Sequence, residues 1–105
     1  MLRIYSVMID VLTQLRPVLA QVRMRDSNLE DQMRRAATSV VLNIAEGSGS
    51  RGKIRTVRYS TALGSARETV ACLEIAAALG YVLAIDERTR RSLDEVIGTL
   101  VKVGV

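Results

Sequence analysis

Apolar residues recur along this chain at alternating steps of four and three, and they do so in long runs. Ile4, Met8, Val11, Leu15, Val18 and Val22 make the first run. Leu29, Met33, Ala36, Val40 and Ile44 make the second, and Tyr59, Leu63, Ala66, Val70, Leu73 and Ala77 the third. A shorter set, Leu93, Val96, Leu100 and Val103, lies near the end. This spacing lines apolar side chains along one face of an α-helix, whereas a half-buried strand would alternate at every second residue. The chain is therefore predicted to be all-α, with helices at about residues 2–25, 28–46, 53–79 and 87–103.

The residues between the runs punctuate them. Ser27-Asn28-Leu29-Glu30 reads as a capping box, with the Ser27 hydroxyl accepting from the Glu30 amide and the Glu30 carboxylate reaching back. Gly47 and Gly80 are expected to stop the second and third helices in the left-handed conformation, and Asp86 to cap the fourth. Pro17 deletes one hydrogen bond inside the first helix, so a kink is expected near Thr13 to Pro17. Gly47 to Gly52 reads as a flexible loop. Tyr81 to Ile85 is β-prone but has no partner strand, so it reads as an extended connector. Short connections favour an antiparallel up-down-up-down four-helix bundle, formed as one domain over residues 1–105.

Composition narrows the chemistry. With 49% apolar and 3% aromatic residues, the core must be aliphatic and closely packed. The lone cysteine, Cys72, allows no internal disulfide, which fits a cytoplasmic protein. The absence of histidine removes the usual general base and the commonest metal ligand. The longest apolar stretch, Ile75 to Ile85, is about half of the ~20 residues that span a bilayer. Asp10, Gln14 and Arg16 interrupt the N-terminal apolar residues, which argues against a signal peptide. No membrane partner and no cofactor are expected.

Two helices carry more apolar surface than a monomeric bundle needs. Helix one adds Tyr5, Leu12 and Leu19 at spacing seven, with Val7 and Ile9. Helix three adds Ala62, Ile75, Ala76 and Leu79. Apolar residues on two faces call for two partners, so self-association is expected.

Charge points to an anionic partner. The net charge is +4, yet the segment from Arg34 to Arg67 holds seven basic residues against one acid, Glu46. Gly47 to Lys53 reads Gly-Ser-Gly-Ser-Arg-Gly-Lys, the spacing of a phosphate-binding loop. The nucleotide-hydrolase reading fails, because Ile54 stands where a magnesium-holding Ser or Thr belongs and a helix, not a strand, precedes the loop. What survives is a glycine-rich loop opening a helix among cations. Arg51, Lys53, Arg55 and Arg58, with Arg34 and Arg35, are the candidate nucleic-acid-binding residues. Few aromatics stand near them, so phosphate contact rather than base stacking is expected.

Asn43 and Glu46 share a helix face, and Glu68 could approach them, with Arg35 or Arg67 pairing the carboxylates. This set reads as a polar network fixing helix register, against the alternative of a site for RNA or an ion. Ser48 and Ser50 have no base to activate them, Cys72 reads as a core residue, and Tyr59 and Tyr81 as packing residues. No catalytic residue is assigned, and no enzyme activity is expected.

The stretch Gln32 to Ser50, centred on Leu42-Asn43-Ile44-Ala45-Glu46-Gly47, resembles the 23S rRNA-intervening-sequence proteins. Ala62-Leu63-Gly64-Ser65, Glu68 and Leu79-Gly80-Tyr81 supply a second block of resemblance. One departure is Val70, where that family often carries a further glutamate. The resemblance implies a four-helix bundle assembled into a barrel-like homopentamer. It also implies kinship with the accessory protein of diversity-generating retroelements, a basic pentamer that associates with a reverse transcriptase and nucleic acid. The expected function is a basic, non-enzymatic, homo-oligomeric scaffold that binds RNA, DNA or a reverse-transcriptase-like partner. The alternative is a structural or protein-interaction module with no nucleic-acid role.

Overall fold

A computed structural model describes residues 2–104. It contains four helices: α1 (Ile4–Arg25), α2 (Ser27–Ser48), α3 (Gly52–Ala78) and α4 (Glu87–Val103). Each helix packs on its neighbours in sequence, and α4 closes the ring against α1. The result is an up-down-up-down bundle 42 Å long and 24 by 20 Å across. One end gathers the start of α1, the end of α2, the start of α3 and the end of α4.

The four-three runs supply the core. Ile4, Met8, Val11, Leu15 and Val22 of α1 are buried, as is the whole predicted stripe of α2. Leu93, Val96 and Leu100 of α4 are buried, whereas Val103 is exposed. On α3 the buried line is rotated from the predicted one. Ala62, Ser65, Ala66, Thr69, Cys72, Leu73 and Ala76 face inward, and Leu63 and Val70 lie at the edge. Two of the residues expected to mark a second apolar face, Ala62 and Ala76, are therefore core residues. Cys72 is buried as expected; burial, and secondarily the nearby Glu68 charge, push its thiol pKa up.

Several boundary expectations need correction. The N-cap of α2 is Asp26, not Ser27: Asp26 is extended (φ −158°), and its Oδ1 accepts from the Leu29 amide at 2.9 Å. Glu30 turns to Arg34 at 3.3 Å instead of reaching back. Asp26 also accepts the Tyr81 hydroxyl through Oδ2 at 3.2 Å, and Arg25 stacks over the Tyr81 ring. That cluster ties the α3–α4 connector to the α1–α2 turn. Partial burial, then the bond to Asp26, raise the Tyr81 phenol above its ordinary range. The α1 helix runs unbroken through Pro17, whose ring lies on the exposed side.

Gly47 is not a helix stop. It sits inside α2, and the left-handed glycines are Gly52 (φ +58°) and Gly80 (φ +77°). Gly80 ends α3 as predicted: its amide donates to Ala77 and the Tyr81 amide to Ala76, closing the last turn. Gly47 is needed for space. A Cβ there would stand 2.5 Å from Cε1 of Tyr59 on α3. Asp86 occupies the N-cap position of α4, but its side chain caps no amide.

Gly47→Ala should therefore lower stability by about 1–3 kcal/mol, the usual cost of overpacking a closed contact. Gly49→Ala should change it little, since a Cβ there meets only backbone oxygens at 3.8 Å. Urea unfolding of the two variants checks this, and equal losses would contradict it.

Candidate nucleic-acid interface

The α2–α3 hairpin positions the basic residues. Ser39 Oγ lies 2.8 Å from Ser65 Oγ, Arg58 Nη1 lies 3.1 Å from Glu46 Oε2, and the Tyr59 ring lies on Gly47. These pairs set an antiparallel register in which Ser48, the last residue of α2, stands near the height of Val57. At 3.6 residues per turn, roughly the first turn and a half of α3 runs past the end of α2. Every residue from Arg51 to Arg58 is exposed.

The overhang holds Arg51, Lys53, Arg55 and Arg58, but not as equals. Arg55 is a helix clamp: its Nε–H is shared between the carbonyls of Ser50 (2.9 Å) and Gly47 (3.2 Å). It ties the Ser50 carbonyl of the loop to the Gly47 carbonyl of α2, which also accepts the Ser50 amide at 3.1 Å. Arg58 is paired with Glu46, although both side chains remain about half exposed (46% and 52%). Arg51 and Lys53 make no ion pair among the described residues. Between Lys53 and Arg58, Ile54 and Val57 form an exposed apolar notch, a feature the charge pattern alone did not reveal.

Arg34 and Arg35 do not join this cluster. Arg34 binds Asp31 (2.6 Å) and Glu30 (3.3 Å), and Arg35 binds Asp31 (3.4 Å). They lie near the opposite end of α2, roughly 20 Å from Ser48 at 1.5 Å per residue. The basic segment is continuous in sequence and divided in space.

Nor do Asn43, Glu46 and Glu68 converge. Asn43 Nδ2 donates to Ser39 O at 2.9 Å and to Ser39 Oγ at 3.2 Å. Thr69 donates to the Ser65 carbonyl at 2.9 Å. Asn43 therefore belongs to a polar seam of Ser39, Ser65 and Thr69 that locks α2 to α3. Glu46 faces the overhang, and Glu68 lies exposed beside a shallow recess lined by Asp31, Gln32, Arg35, Ser39 and Ser65. Sequence spacing could have suggested the Ser39–Asn43 pair, four apart on α2, but not its partner on α3. Among the described residues no group of three or more His, Cys, Asp or Glu side chains could hold a metal ion. No helix among them is long and apolar enough to cross a membrane.

The geometry defines a small helical bundle with a cationic overhang at one end. The chain belongs to the 23S rRNA-intervening sequence protein family, whose model matches residues 2–102. Among solved structures it resembles a protein of unknown function from the S23 ribosomal protein family of Bacteroides thetaiotaomicron. The TM-score is 0.81 at 17% identity, covering 96% of this chain and 97% of that one. At that identity the likeness shows the fold. A comparison with curated proteins gives no match.

The division of labour within the overhang is testable by melting. Arg55→Ala should destabilise the protein by about 1 kcal/mol, the scale of a lost hydrogen bond at a helix end. Arg51→Ala should leave the melting temperature unchanged. A reversed order would mean that Arg55 does not hold the end of α2.

Proposed function

We propose that the protein is a non-enzymatic, homo-oligomeric scaffold that binds nucleic acid through the start of α3. The observation that carries this reading is the overhang itself. Arg51 and Lys53 stand exposed and unpaired among the described residues, with Arg55 and Arg58 beside them. Glu46 is the only acid in the sequence between Asp31 and Glu68. Cations on a projecting helix end meet phosphates without desolvating a pocket, and the backbone amides at the start of α3 add a favourable dipole.

Such contacts recognise the backbone rather than the bases. RNA and DNA are both suitable ligands, and a reverse-transcriptase-like protein already carrying nucleic acid is a suitable partner. Repetition of the overhang around a ring of copies, five in the assembly the family resemblance implies, converts several weak contacts into firm binding. The exposed Ile54–Val57 notch favours a second reading, in which the same overhang docks a protein through apolar contact.

Salt separates the two. Binding of a short mixed-sequence RNA or DNA should weaken steeply as salt rises, because each phosphate contact releases counterions. The double variant Arg51→Glu, Lys53→Glu should lose most of the affinity and flatten the salt dependence. Fluorescence anisotropy at low and moderate salt measures both. Absent binding at low salt, or binding indifferent to the double variant, would eliminate the nucleic-acid reading and leave the protein-docking one.

A further inference from the structure

The α3 helix carries a regular row on its outer side as well as its core side. Val57, Thr61, Gly64, Glu68, Ala71 and Ile75 recur at steps of four and three, so they share one stripe. All six are exposed or half-exposed. The stripe borders α2, since Ser65 beside Gly64 meets Ser39 of α2, while Glu74 on the other side reaches Arg90 of α4. Leu42 of α2 adds another exposed apolar side chain (59%) on that helix's outer side.

Gly64 is the informative member. Glycine in mid-helix is less favourable than alanine, so it calls for a use of the space. A Cβ on Gly64 would meet nothing within 4 Å, so no part of this chain uses that space. Gly98 on α4 is equally open, but its neighbours three and four residues away are Asp94, Glu95 and Lys102, with Val101 alone apolar. Small residues between Val57 and Ile75 instead form a shallow, partly apolar track that admits another helix closely.

The α1 helix offers a matching row. Tyr5, Ile9, Leu12 and Arg16 also recur at steps of four and three. They face away from α4, which is held by Arg3, Asp10 and Gln14 on the other side of α1. Ile9 is exposed, and Tyr5 and Leu12 are half-buried against the core. Arg16 is exposed and makes no ion pair among the described residues, and the same is true of Glu68. Leu2 before α1 and Tyr59 of α3 line one recess at one end, and Asp26 meets Tyr81 at the other. Counting from these anchors puts Arg16 and Glu68 about one helical turn apart in height.

We propose that the outer row of α3 on one copy packs against the outer row of α1 on the next copy, with Glu68 facing Arg16 across the contact. This rests on the self-association proposed above and names its surfaces. The occupant is a second copy because the chain itself carries the complement: bulky Tyr5, Ile9 and Leu12 for the track around Gly64, and an unpaired cation for the unpaired acid. The two rows lie on different flanks of the bundle, either side of α2, so the contact is head-to-tail, and copies joined this way form a ring where the rotation between them closes. In that ring α2 faces the lumen and the charged stripe of α4 faces out.

Light scattering on a sizing column, with the full chain over a range of concentrations, tests this. Wild type should run as a ring. Glu68→Arg and Arg16→Glu should each raise the half-dissociation concentration at least tenfold, and the double swap should restore it. Gly64→Trp should give monomer with unchanged helical circular dichroism, since the space it fills is empty in one copy. If both single swaps and Gly64→Trp keep the wild-type mass, the named surfaces are wrong while self-association stands. Failure of the double swap to restore assembly would overturn the Glu68–Arg16 contact. A wild type that is monomeric at every concentration would overturn both the surfaces and the self-association reading.

Discussion

The contact between Tyr59 and Gly47 sets the register on which the rest of the bundle depends. With no Cβ at position 47, the aromatic ring lies close against the α2 backbone, and its hydroxyl reaches Ser48 at 3.2 Å. This fixes the α2–α3 register near the turn. The polar seam of Ser39, Asn43 and Ser65 repeats the same register about two turns further down. Sliding by one helical step would part the Ser39 and Ser65 hydroxyls and lift Tyr59 off the glycine. Because the register is set there, α3 must start beyond the end of α2, and the cations of the loop are carried outward with it.

The other end of the bundle is held by a different device. Asp26 uses one carboxylate oxygen to cap α2 and the other to hold the Tyr81 hydroxyl. One side chain thus joins the α1–α2 turn to the α3–α4 connector, which has no regular structure of its own. Fixing both ends leaves α4 to close the bundle with Leu93, Val96 and Leu100. Its ion pairs to α1, Arg3–Glu95 and Arg88–Asp10, lie at the surface and add little by themselves.

Helix number, order and most of the core were legible in the sequence because they depend on periodicity, which is a local property. The family was legible from the α2 motif and is shown over residues 2–102. The errors are equally specific. Ser27 and Asp26 are both good caps, and only the backbone conformation at Asp26 chooses between them. Gly47 has the composition of a stop signal but the duty of a spacer, and nothing within α2 reveals the ring that needs the space. The stripe on α3 was rotated because apolar and small residues surround that helix, so its periodicity does not single out one face.

The charge pattern shows the same limit from the other direction. Arg34 to Arg67 forms one basic block along the chain, but a helical hairpin folds a linear block back on itself, which brings its two ends to similar heights and leaves both roughly 15–20 Å from the turn. Arg34 and Arg35 then fall beside Asp31, which supplies their partners, and only the cations around the turn remain together. Within that remnant, geometry again divides residues of identical type. Arg55 is committed to the Gly47 and Ser50 carbonyls at the turn, Arg58 is shared with Glu46, and Arg51 and Lys53 make no ion pair among the described residues. A cation's availability for phosphate is therefore set by which helix ends and acids the hairpin brings beside it, and charge counted along a sequence overstates it wherever a turn needs closing.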